Sequence, residues 1–182
     1  MQILKTTYHP DVSAEDILPS NDLVMITRHA ARGIIVRGES ILLLYTQRYD
    51  DYSLPGGGID EGEDATQGLI RELKEEAGAN GVRNIQEFAR YDEYRPWYKD
   101  NADIIHMISL CYVCDIDEEL GETALEAYEI KNGMSPKWIN IHDAIAHNEN
   151  VIAYSEKKGL SIHRETILLK EIVDRLLTSN TS

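Results

Sequence analysis

Between residues 64 and 79 the apolar positions Ala65, Leu69, Leu73 and Ala77 recur every fourth residue among polar ones. That spacing makes one buried stripe on an α-helix. Asp64 stands at the expected N-cap with Gln67 three residues on, a capping-box pair, and Gly78 stands where a left-handed glycine would stop the helix. Upstream, Arg32 to Val36 and Ile41 to Thr46 are β-rich runs around a turn at Arg37-Gly38-Glu39-Ser40. Ile41-Leu42-Leu43-Leu44 does not alternate, which predicts a strand covered on both faces. Downstream, Val82 to Tyr94 reads as one long or bulged strand, and Ile104 to Ile116 as its antiparallel neighbour. The segment between them, Arg95 to Asn101, is a loop because Pro96 and the Asp-Asn pair break a ladder.

The remaining pattern is less regular. Gln47 to Ser53 is polar and tyrosine-rich, and Asp117 to Glu129 is an acidic stretch open to either a loop or a short helix. Pro136 to Asn140 predicts a short strand, Ile141 to Asn148 a short helix, and Ser161 to Leu177 a longer one. Residues 1–27 show no clear period and read as an N-terminal extension, placed on the domain or on a second copy in a homodimer. The main domain then spans 28–178, and 179–182 form a short tail. The order of elements is that of one mixed α+β domain, and 182 residues suffice to bury a core of that size.

Charge narrows the partners. A net charge of −14 argues against a broad basic surface for nucleic acid, though it leaves room for a phosphate substrate where positive charge is supplied locally. No apolar run is long enough to span a bilayer, and the first residues lack the apolar core of a signal peptide. Cys111 and Cys114 lie three apart in a strand and so point to opposite faces, which predicts two ordinary cysteines and a reducing, cytoplasmic setting.

The chemistry concentrates around the first helix. At about 100° per residue, Glu72, Glu75 and Glu76 share one arc beside the apolar stripe. Like charges at these spacings repel, and a hard divalent cation would turn the repulsion into a binding site. Gly68, one turn earlier, is expected to leave space for the ion. In front of the helix runs Pro55-Gly56-Gly57-Gly58-Ile59-Asp60-Glu61-Gly62-Glu63, a glycine loop.

Gly57, Glu63, Arg71-Glu72, Glu75-Glu76 and Gly78 reproduce, at every fixed spacing, the pattern G-x5-E-x7-R-E-U-x-E-E-x-G-U of the Nudix hydrolases, where U is a bulky aliphatic. Leu73 fills the first U, and the smaller Ala79 departs from the second. The chain thus resembles that family, specifically in this segment and by order of elements over residues 28–177. The resemblance implies a mixed β-sheet sandwiched between helices. It implies hydrolysis of a nucleoside diphosphate linked to another group, by water attack at phosphorus, with Mg²⁺ or Mn²⁺ as cofactor. Glu72, Glu75 and Glu76 would hold the metal, with the Gly56 carbonyl as a further ligand. Arg71 would pair with Glu63 or a neighbouring glutamate and fix carboxylate geometry.

For the general base the resemblance leaves two sources open: Glu75 within the motif, or Glu129 from the later loop, with Glu126 and Glu122 competing. Arg48 and Arg95 are candidates to meet phosphates, and Tyr94 and Trp97 to stack on a base. The expected substrate is a small nucleotide, a nucleoside triphosphate or ADP-ribose. The alternative is a non-catalytic Nudix-like domain that senses a nucleotide.

Overall fold

The computed structural model describes residues 1–178. The expected tail, 179–182, lies outside the described residues. Two sheets and their helices enclose two apolar cores. The first sheet has the order β1-β7-β8-β2-β6, from β1 (Ile3–Tyr8), β7 (Arg83–Pro96), β8 (Ile104–Asp115), β2 (Met25–Ile34) and β6 (Gly56–Gly58). In the second, β4 (Ser40–Thr46) pairs with β3 (Val36–Arg37), β5 (Asp51–Ser53) and β9 (Met134–Asn140). The helices are α1 (Ala65–Ala77), α2 (Ala127–Asn132), α3 (Ile141–Tyr154) and α4 (Ile162–Ile172), the last extended by a π-helical turn over Val173–Leu177.

The non-alternating strand β4 is covered on both faces, as its pattern predicts. Ile41 and Leu43 enter the core packed by α3 and α4, with Ile141, Leu168 and Ile172. Leu42 enters the other, with Leu69, Leu73 and Ala77 of α1. Cys111 and Cys114 are divided between the same two cores, free and buried. β7 and β8 pair antiparallel with two register shifts, at Arg83/Gln86 and Glu87/Ala89, so the long strand is bulged. Among the described residues no helix is long and apolar enough to cross a membrane.

Three local expectations change. Residues 3–8 form β1, which pairs in parallel with β7, so the start of the chain is an edge of the main sheet. β2 begins at Met25 because β8 supplies a parallel ladder from Met25 to Ile34, well before the apolar run that marks it in the sequence. Within the polar stretch 47–53, Asp51–Ser53 is a strand whose outer edge is satisfied by a side chain. Tyr52 N–H donates to Asn148 Oδ1 (3.0 Å) and Asn148 Nδ2 donates to the Tyr52 carbonyl (2.9 Å). The same buried Asn148 sits on the inward face of α3, which continues past it through Val151 to Tyr154.

Candidate active site

The glycine loop owes its composition to close approaches on both sides. Gly56 pairs with Arg32 of β2 at φ +136°, and a Cβ there would lie 2.0 Å from the Ala31 carbonyl oxygen. A Cβ on Gly57 would meet the Glu72 carboxylate at 2.6 Å. The helix that follows is capped as its sequence predicts. Asp64 Oδ1 accepts from the Thr66 and Gln67 N–H groups (2.8 and 2.9 Å), and Gln67 Oε1 accepts from Asp64 N–H (3.0 Å). At the other end Gly78 adopts φ +65°, and the Gly78 and Ala79 N–H groups close on the Lys74 and Leu73 carbonyls. Ala79 is fully enclosed in the α1 core, so the small residue at that position leaves the packing intact.

Gly68 does not face open space. A Cβ there would stand 3.0 Å from Glu63 Oε2 and 3.3 Å from Ile59, so this glycine lets the loop close onto the helix.

Arg71 gathers the motif's acids. Its guanidinium donates to Glu63 Oε1 and Oε2 (both 2.9 Å), to Glu72 Oε1 (2.6 Å), to the Gly58 carbonyl (2.8 Å), and more weakly to Glu75 Oε2 (3.4 Å). Glu63, in turn, accepts from Asp60 N–H (2.9 Å) and so ties the loop to the helix through one arginine. Glu76 is buried, and its Oε2 accepts from Gly56 N–H (2.6 Å). Burial pushes the Glu76 carboxyl well above the usual range. Glu72 and Glu129 nearby add to this, against the opposing pull of that N–H bond and of Arg32. Burial also raises Glu72, with Arg71 opposing.

Glu129 arrives from α2. The chain before it is pinned to the end of α1 by backbone bonds, Gly121 N–H to the Gly78 carbonyl and Ala124 N–H to the Glu75 carbonyl (both 2.7 Å). A Cβ on Gly78 would lie 2.2 Å from the Gly121 carbonyl oxygen, so the C-cap glycine also permits this docking. Glu129 Oε2 accepts from Glu126 N–H (2.7 Å) and Oε1 from the Tyr128 hydroxyl (3.1 Å).

Glu72, Glu75, Glu76, Glu126 and Glu129 line one cavity of about 480 Å³ with Arg71, Arg32 and the Gly56–Gly58 loop. Glu122 is not in its wall. Among the described residues no three acidic or imidazole side chains close into a finished metal cage. Glu72 Oε1 is turned to Arg71 and Glu76 Oε2 to Gly56, so each presents one carboxylate oxygen to its own protein donor. The donor set still fits a hard divalent cation. It is all oxygen and partly desolvated, and burial makes two of its acids, Glu72 and Glu76, hold their protons more tightly than usual.

Arg32 is a cavity residue that sequence patterning passed over. Its side chain is 11% exposed, Nε donates to Ser109 Oγ (3.2 Å), and Nη1 lies 3.7 Å from Glu165. Neither Nη atom makes a hydrogen bond within the described residues. A charge between the buried Ala31 and Gly33 of a core strand is the signal that marks it. Arg32, Gly57, Gly58 and Asp60 also border an adjoining groove of about 890 Å³ that runs past Arg28, His29 and Met107.

The residues expected to meet substrate lie elsewhere and apart. Arg48 bonds Asn132 Oδ1 (3.1 Å) at the last residue of α2. Tyr94 is stacked between Tyr8 and His106, and Arg95 pairs with Glu93 (2.5 Å). Trp97 bonds Asn101 and carries, 4.9 Å above its ring, the guanidinium of Arg28, a residue that borders the adjoining groove.

Comparison with known proteins gives the family and the fold. Two curated proteins named RNA pyrophosphohydrolase are similar over short stretches. That of Nitratiruptor sp. is 44% identical over 45 residues, 25% of this chain and 29% of the relative. That of Campylobacter jejuni subsp. doylei is 46% identical over 43 residues, 24% and 28% respectively. The match therefore spans under a third of either relative's length. Among solved structures, a MutT NUDIX hydrolase from Burkholderia pseudomallei superposes with a TM-score of 0.51 at 20% identity, covering 81% of this chain and 98% of that one. A MutT protein from Bacillus halodurans does so at 0.51 and 18%, covering 65% and 72%. At such identities these share the fold. The NUDIX domain itself matches residues 27–157, most of the sequence, and the chain belongs to the Nudix family.

Proposed function

We propose that this protein is a divalent-metal-dependent pyrophosphohydrolase that cleaves a nucleoside diphosphate linked to a further group. The observation that carries this is one cavity in which six carboxylates, Asp60 among them, surround Arg71 and Arg32, beside a groove of about 890 Å³ that shares Arg32 and Asp60 with it. Glu72, Glu75 and Glu76 would hold Mg²⁺ or Mn²⁺, with Glu129 and the Gly56 carbonyl within the same wall. Such an ion, when bound, neutralises diphosphate charge and acidifies a water.

The chain's own residues do the rest. Arg71 keeps Glu72 and Glu75 aimed by locking both to Glu63 and the loop. Arg32 lines both cavity and groove, where it would meet the oxygens of a diphosphate, and its burial would strengthen that attraction. Glu75 is the better general base. Its carboxylate is half-exposed with one long contact to Arg71, whereas both Glu129 oxygens already accept hydrogen bonds.

A small nucleotide suits the chain's net charge of −14, while the names of the two curated relatives make a 5′-triphosphorylated RNA the natural competitor. A panel of nucleoside triphosphates, ADP-ribose and a triphosphorylated RNA oligomer, with and without Mg²⁺ or Mn²⁺, tests the reading. Metal-dependent release of a nucleoside monophosphate from a small nucleotide is the expected result. Turnover unaffected by EDTA would overturn the mechanism, and saturable binding without turnover anywhere would make the domain a nucleotide sensor.

The loop offers an independent check. Gly57→Ala would push its new Cβ into the Glu72 carboxylate, so kcat is expected to fall by about 10–100-fold. Gly58→Ala, where an added Cβ meets nothing within 4 Å, should have a much smaller effect.

A further inference from the structure

A second cavity, of about 520 Å³, lies between the β1 edge of the sheet and the first turn of α4 and shares no wall residue with the carboxylate cavity or its groove. Most of its wall lies outside the matched residues 27–157, in Lys5 to Pro10 and Lys158 to Ile167. Its charge runs against that of the protein. Lys5, Lys158, Arg95 and Arg164 face a single carboxylate, Glu93, in a chain of net charge −14. That carboxylate is spent, one oxygen on Arg95 and the other on Arg164, each at 2.5 Å.

Three basic groups remain for a ligand. Lys5 and His163 have no ion-pair or hydrogen-bond partner among the described residues. Lys158 has only the Ile152 carbonyl (3.0 Å). Beside them stands a flat apolar surface. Tyr8 stacks on Tyr94 (5.2 Å, 11°) and Tyr94 on His106 (4.2 Å, 12°), which leaves Tyr8, 40% exposed, at the end of a column of three rings. Leu160, 65% exposed, lies on the same rim.

We propose that this cavity is a second ligand site, separate from the catalytic one, for a phosphate monoester bearing a flat ring. Its phosphate meets Lys5, Lys158 and His163, and its ring lies against Tyr8 and Leu160. The volume is that of an ordinary small-molecule site, and a dianion matches two lysine ammonium groups that no carboxylate neutralises, beside the His163 imidazole. The site needs no metal, so it stands or falls separately from the hydrolase reading.

Calorimetric titration with AMP in EDTA tests it, with ribose 5-phosphate and inorganic phosphate as probes that lack the flat ring. Saturable AMP binding is expected, weaker for both other probes. A Lys5→Glu/Lys158→Glu double variant, altered at two exposed positions, should bind AMP at least about tenfold more weakly. Glu76→Gln should bind it as the parent does. No saturable binding of AMP at millimolar concentration would overturn the proposal. So would binding that survives the double lysine exchange, or that is lost with Glu76→Gln, since the ligand would then occupy the carboxylate cavity.

Discussion

Glu76→Gln is expected to lower turnover by about 100-fold or more and, in EDTA, to raise thermal stability at alkaline pH. Both effects come from one buried carboxylate. Its folded-state carboxyl is raised above the unfolded value, by burial first and by Glu72 and Glu129 next. The stabilisation linked to its proton is therefore fully present below the ordinary carboxylate range and is lost as pH rises through the raised value. At pH 8 the unfolded chain is ionised at this position, while the folded state without metal must either bury the charge or keep the proton. Glutamine removes that charge and still accepts from Gly56 N–H through its amide oxygen. A gain of about 1 kcal/mol, or about 2–4 °C in Tm, is expected at pH 8 and little at pH 5. Asp51, pushed up to about 6 by burial with Glu165 and Asp50 beside it, gives a loss of the same sign in parent and variant, so the difference between the two isolates Glu76. A lower Tm for the variant at pH 8 would show that the Glu76 charge is not strained.

Arg164→Met is expected to have the largest effect on stability. The Arg164 side chain is 5% exposed and donates to Glu93 Oε2 (2.5 Å) and twice to Glu165 Oε1 (2.6 and 3.0 Å). Glu165 is 1% exposed, its Oε2 accepts from Leu54 N–H (2.9 Å), and Arg32 stands 3.7 Å away. Burial pulls the Glu93 carboxyl up, but Arg164 and Arg95 outweigh it and hold it low. Removing Arg164 leaves both acids short of a partner in low dielectric, a loss of about 3–5 kcal/mol. The denaturation midpoint should shift accordingly, with the slope unchanged. Breaking the exposed Lys170–Glu149 pair instead should change stability by about 0–1 kcal/mol. Equal effects from the two would mean the Arg164 network is as well hydrated as a surface pair.

What was legible in the sequence follows the range of the interactions involved. α1 declares itself through local signals: the Asp64 cap, the Leu69-Leu73-Ala77 stripe and the Gly78 stop are all settled within a few residues. The two-sided burial of β4 and the β7–β8 pair follow from apolar content alone. β1 was not legible, because its identity depends on a parallel partner more than 80 residues away. Neither was β5, whose neighbour on one side is the amide of Asn148. The acidic segment 117–126 docks through backbone groups, onto the end of α1 and onto Arg37, and through an Asp117–Arg83 pair, none of which its own pattern announces. Glu126 and Glu129 reach the cavity from this segment and the helix after it, and Glu122 does not. Arg48, Tyr94, Arg95 and Trp97 are the right residue types for a nucleotide, but type alone carries no position. The fold distributes them over three places, and puts Arg32 at the cavity instead.

The claim beneath all of this is that Glu72, Glu75 and Glu76 crowd one helix face to hold a divalent cation. A Mn²⁺ titration followed by water-proton relaxation, on the parent and on a Glu72→Gln/Glu76→Gln double variant, tests it without any substrate. The parent should bind Mn²⁺ saturably, and the double variant at least about 100-fold more weakly while remaining folded. Equal Mn²⁺ affinity in the two proteins would contradict the account.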